Sequence, residues 1–191
     1  ILMICLLAIS RQTLAQSQMN SVFSNSIAQP IQKDRPKISA ELKYAESIFE
    51  DSISRALQII EENLEYSVQE GYKIEQAQSY FILGKFNEQL QNQSIAITNF
   101  KKARVIYKEL GESNLEYNLH HRIGDLERSL DNRDAAIANY ERALLLALKM
   151  KSKPKEVSST LLLGDLYLEN GKSKKAQTYY KEALKKSEKG K

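Results

Sequence analysis

The sequence predicts an all-α fold of repeated helix hairpins, and three observations carry that prediction. The 191-residue chain has seven glycines, three prolines and no tryptophan, and 27% of it is charged, a composition that favours helix and disfavours a β-sandwich. Its 42% hydrophobic content suffices for a sizeable core. Gly84, Gly124 and Gly164 then recur every 40 residues, and a fixed period of this size signals an array of supersecondary units.

Ile1 to Ile9 is a continuous apolar run, followed by Thr13-Leu14-Ala15 and then Gln16-Ser17-Gln18. This pattern reads as the apolar region and cleavage site of a partial secretory signal over residues 1–15. Arg11 stops the run short of the roughly 20 apolar residues a membrane span needs. A signal anchor or a buried helix are the other readings. Cys5, the single cysteine, excludes an internal disulfide framework and any cysteine-based metal site. Residues 16–33, rich in Ser and Asn with Pro30, have linker composition.

From residue 34 onward other columns keep step with the glycines. Ala96, Ala136 and Ala176 follow at one distance; Phe100, Tyr140 and Tyr180 at a second; Ala103, Ala143 and Ala183 at a third. Helical windows over 74–90 and 94–110, a turn at 91–93 and a connection at Gly111 account for one period, each helix being about 25 Å long. Gly84 and Ala96 let two helix backbones approach while Phe100 fills the space beside them. Gly71 and Gly111 stand where left-handed caps are wanted, Asp131-Asn132 and Asn170-Gly171 fall in turns, and Pro154 opens the last hairpin.

The stretch Leu163-Gly164-Asp165-Leu166-Tyr167, with Ala176, Tyr180 and Ala183-Leu184, resembles the tetratricopeptide repeat, and Leu83-Gly84 and Ile123-Gly124 open two further copies. The resemblance covers 77–116, 117–156 and 157–191, the last copy read as truncated. A degenerate copy over 34–76 has Tyr44 in place of Gly and Asn63 in place of Ala. The aromatic expected four residues before Gly is Tyr80 once but His120 and Thr160 elsewhere, and the usual closing proline is absent. The 40-residue period resembles the long-helix subclass common in bacterial regulators. The implied fold is a helix-hairpin solenoid wound as a right-handed superhelix.

In that family, first helices line a concave groove that holds a protein or peptide ligand. The resemblance places Gln78, Phe81 and Lys85, then Asn118, His121, Asp125 and Arg128, then Leu161 and Asp165 on this groove, flanked by Glu88, Leu168 and Ser158. Core packing is an equal reading for Phe81 and Leu161. Asp125 and Asp165 disfavour capture of a C-terminal carboxylate. Phe81, His121 and Arg128 are the expected contributors to a peptide site.

No pattern calls for catalysis, a cofactor or a metal. His120 and His121 are adjacent, diverge by about 100° on a helix and cannot clamp one ion together, and no HExxH or phosphate loop is present. Residues 151–191 hold eleven lysines against five acidic residues, a net of +6. Lys174, Lys175, Lys181, Lys185 and Lys186 fit a solvated face better than a nucleic-acid patch. The expected protein is thus a non-catalytic, exported scaffold, secreted or periplasmic, with self-association through an uncapped last repeat as a further use. Attachment to a membrane would need a signal anchor or a downstream span. The alternatives are an extracytoplasmic sensor segment of a signalling protein such as a histidine kinase, and an intracellular regulator.

Overall fold

Eight helices succeed one another along residues 34–188, the part of the chain that the computed structural model describes. They are α1 (Arg35–Ser47), α2 (Ile53–Gln69), α3 (Lys73–Gln89), α4 (Gln93–Glu109), α5 (Ser113–Ser129), α6 (Arg133–Lys149), α7 (Lys153–Glu169) and α8 (Ser173–Glu188). The signal segment 1–15 and the linker 16–33 lie outside the described residues. Each helix packs on the next, most extensively within α3–α4, α5–α6 and α7–α8, which makes these pairs the hairpins. The helices run one residue ahead of the windows read from sequence, so the 77–116 frame begins one turn inside α3. Pro154 sits at the second position of α7, where its missing N–H is equally harmless.

One turn serves every junction from α2 onward. Tyr72 N–H donates to the Ser67 carbonyl at 2.9 Å, and Asn92 to Asn87, Glu112 to Tyr107, Asn132 to Glu127, Ser152 to Ala147 and Lys172 to Tyr167 repeat the bond. This is the Schellman closure, and it needs a left-handed residue just before the donor. Gly71, Gln91, Gly111, Asp131, Lys151 and Gly171 occupy that position, with φ between 53° and 74°. Gln91 and Lys151 adopt it despite a Cβ, at a cost of about 1 kcal/mol each. Because turns within hairpins and between them are the same, the backbone has a 20-residue period beneath the 40-residue sequence period.

What distinguishes a hairpin from a junction is the glycine column. A Cβ on Gly124 would stand 2.6 Å from Tyr140 Cε1, and one on Gly164 would stand 2.6 Å from Tyr180 Cε1. Gly84 lies equally close to the ring of Phe100. Phe100 and Tyr140 are wholly buried, as are Ala96, Ala136, Ala103 and Ala143. Ala103 shares a cluster with Leu119 and Ile123 of the next hairpin, so the small residue admits α5. The first hairpin lacks this device: Tyr44 replaces the glycine, is 56% exposed, and faces a column where Ile60 replaces the aromatic. There α1 ends early at Ser47, and Phe49 in the connection stacks on Phe86 of α3 with ring centroids 3.7 Å apart.

Candidate protein-binding face

Positions 78, 81, 85 and 88 advance by three or four residues and so share one side of α3; the same holds for their equivalents on α5 and α7. The structure fixes this face by bonds between successive first helices. Lys85 Nζ meets Glu46 Oε1 at 2.5 Å, Arg122 Nη1 meets Glu88 Oε2 at 2.5 Å, and Arg128 Nε meets Glu169 Oε2 at 2.9 Å. Such partly exposed pairs contribute about 0–1 kcal/mol each. Their larger effect is to set the register of one hairpin on the next. The Glu169 carboxylate, as hydrogen-bond partner, raises the Arg128 pKa above its ordinary value.

Between α5 and α7 a neutral relay adds to the charged pairs. His121 Nε2 lies 2.8 Å from Ser159 Oγ, Ser159 Oγ donates to Tyr117 Oη at 3.3 Å, and Tyr117 Oη donates to the Lys155 carbonyl at 3.2 Å. With the serine and tyrosine hydrogens both used, His121 completes the relay by donating from Nε2. Burial lowers its pKa, and Lys155 acts the same way against the opposing pull of Asp125.

Asp125 and Asp165 have a partner within their own hairpins. Tyr140 Oη donates to Asp125 Oδ1 at 2.6 Å, and Tyr180 Oη donates to Asp165 Oδ1 at 2.8 Å. Burial first, then the Asp125 bond, pushes the Tyr140 pKa up; for Tyr180 the Asp165 bond leads. The first full repeat changes both members together: Phe100 has no hydroxyl, and Lys85 replaces the aspartate.

The nine residues placed on the groove by sequence therefore divide into two groups. Lys85, His121, Asp125, Arg128 and Asp165 already hold intramolecular partners. Phe81 is half-buried against Phe100, with centroids 5.8 Å apart, and has Lys85 Nζ and Arg122 Cζ each 5.9 Å from its ring centre. Gln78 is half-buried, while Asn118 and Leu161 are exposed. Leu161 and Leu168, 41% and 51% exposed on α7, form the open apolar end of the stripe. Sequence reasoning did not find Glu46, Arg122 or Ser159, although opposite charges about one period apart were a usable signal.

Among the described residues no group of three or more His, Cys, Asp or Glu side chains could hold a metal ion. What this geometry offers is a rigid, partly apolar surface with a mixed-charge border.

The tetratricopeptide repeat family model matches residues 115–189, from α5 through α8. Over these two hairpins the chain is similar to tetratricopeptide repeats. No curated protein matches the chain significantly. Solved structures share the fold: aspartyl phosphate phosphatase F from Bacillus subtilis at 22% identity and TM-score 0.69, covering 83% of this chain, and BtubC from P. vanneervenii at 19% and 0.68, covering 93% of this chain and 75% of its own. The tetratricopeptide-like repeats of a putative kinesin light chain from Podosopora anserina match at 14% and 0.68, over 97% of this chain and 93% of theirs. This chain spans 42% of the length of the phosphatase. At these identities the likeness establishes the helix-hairpin solenoid and nothing about ligands.

Proposed function

We infer that the tetratricopeptide array is a non-catalytic scaffold that binds a protein or peptide along the face formed by α3, α5 and α7. The observation that carries this reading is the pair of exposed leucines, Leu161 and Leu168, on the same face as half-buried Phe81, held on first helices that are cross-linked by ion pairs and hydrogen bonds. A surface whose frame is already satisfied loses little conformational freedom on binding. Leu161 and Leu168 supply desolvation, and Asn118, Gln78 and the outward sides of the ion pairs supply polar contacts to an extended peptide.

Peptides selected from a displayed random library on the full chain test this reading. They should bind the double variant Leu161→Asp, Leu168→Asp about tenfold or more weakly, with helicity by circular dichroism unchanged because both side chains are exposed. Equal binding to the variant would contradict the assignment of the face.

Export completes the proposal and rests on the apolar run Ile1 to Ile9 and the small residues before Gln16. N-terminal sequencing of the protein recovered from cells expressing it with its natural upstream sequence should begin near Gln16. Recovery of an uncleaved N-terminus in the cytoplasmic fraction would remove export from the proposal.

A further inference from the structure

A second open groove lies on the opposite helices, between α4 and α6 with α5 as its floor, and has a volume of about 1010 Å³. Arg104 and Lys108 enter it from α4, Arg142 and Lys149 from α6. Although Glu109 and Glu116 also line the groove, none of these four cations makes an ion pair among the described residues. Exposed Val105 and Leu145 supply apolar surface beside them, at 50% and 56% exposure.

The equivalent positions on either side carry different side chains. Above α7, Lys186 reaches the buried Glu156 at 3.8 Å; above α3, Tyr80 occupies the space, with Lys102 Nζ 5.1 Å from its ring centre. In the middle groove Leu146 stands where Lys186 stands in the next repeat, and His120 replaces the tyrosine. The floor is held by His120 Nδ1, 3.0 Å from Asn139 Oδ1. Burial first, and then Arg104, Arg142 and Lys108, disfavour a charged His120.

We propose that this groove docks an acidic amphipathic helix of a partner protein, its carboxylates on Arg104, Lys108, Arg142 and Lys149 and its apolar side chains on Val105 and Leu145. Cations without carboxylate partners, of which Arg104 alone touches the floor through Nη1 at 3.4 Å from His120 Nδ1, interleave with exposed aliphatic side chains and complement that one class of helix in both charge and hydropathy. The lining along α6 runs from Ala138 to Lys149, about 16 Å or three helical turns. The site is separate from the α3, α5 and α7 face, so loss of binding at one leaves the other standing.

Fluorescence anisotropy on the full 191-residue chain tests it. The probe is a labelled helical peptide with glutamate on one face and leucine on the other, at physiological ionic strength. Binding should weaken about tenfold or more in Arg104→Glu, Arg142→Glu and fall measurably in Leu145→Asp. The control Lys181→Glu, Lys185→Glu on α8 should stay within about twofold of the unmodified protein. The proposal fails if the groove variants bind as well as the original chain, if the α8 control weakens equally, or if a lysine-for-glutamate peptide binds as tightly. It also fails if inorganic phosphate or duplex DNA displaces the peptide from the groove at the peptide's own concentration.

Discussion

Tyr140→Ala lowers the stability of the array by about 3–5 kcal/mol, the usual cost of emptying a buried aromatic site, and Gly124→Ala lowers it by overfilling the same place. Tyr140 is wholly buried and tethered through its hydroxyl to Asp125, so its ring cannot swing aside from a Cβ that would lie 2.6 Å away. Overpacking costs about 1–3 kcal/mol, and alanine's better helix propensity returns about 1. The double variant should lose clearly less than the sum, because the added methyl enters the space the tyrosine leaves. Gly164→Ala should cost less than Gly124→Ala, since Tyr180, although tethered to Asp165 in the same way, is half-exposed and has room to move outward. Chemical denaturation of the four variants checks the series; strictly additive losses would show that the glycine and the ring do not meet.

The second large effect is a loss of stability in mild acid that traces to His120. Its side chain is 7% exposed, and burial lowers its pKa to about 4. The hydrogen bond that His120 Nδ1 donates to Asn139 Oδ1 opposes the shift, and Arg104, Arg142 and Lys108 reinforce it. Glu116 Oε1 stands 4.0 Å from His120 Nε2. With the folded pKa below the unfolded value near 6.5, the unfolded chain takes up a proton that the folded chain refuses. The contribution is fully present above pH 6.5 and is lost as pH falls toward 4. Between pH 7 and pH 5 the loss amounts to about 2 kcal/mol, and His121 titrates in the same direction. Comparing unfolding of the original chain with His120→Asn at the two pH values isolates this share. An equal decline in both proteins would mean that His120 does not carry it.

The fold was legible because its determinants are steric and recur. A glycine, an alanine and an aromatic at fixed spacing describe one close helix crossing, and three copies leave little else for the residues between them to do. Helix ends were displaced by one residue because each helix closes two residues before its left-handed turn position, whether that position is Gly111 or Gln91. Side-chain destinations were harder to read. Glu61 and Glu62 are solvated as expected, yet Glu75, Glu127 and Glu156 are buried, although all five stand in similar helical sequence.

Lys186 illustrates the same limit. Grouped with a solvated lysine face, it is instead 17% exposed and pairs with Glu156 and Glu182. Its direction is set by a carboxylate thirty residues earlier on the neighbouring first helix, which helical periodicity does not report. The groove above His120 escaped notice for a related reason. It lies where Leu146 replaces the Lys186 of the next repeat, a substitution whose spatial consequence helical periodicity does not report.

Hydrogen exchange of the full chain, with and without a peptide selected on it, tests the central claim most directly. Peptide bound along the first helices should slow exchange in 78–88, 118–128 and 158–168 and leave the outer sides of α4 and α6 unchanged. Protection confined to α4 and α6, or spread evenly over all eight helices, would contradict a binding face built from α3, α5 and α7.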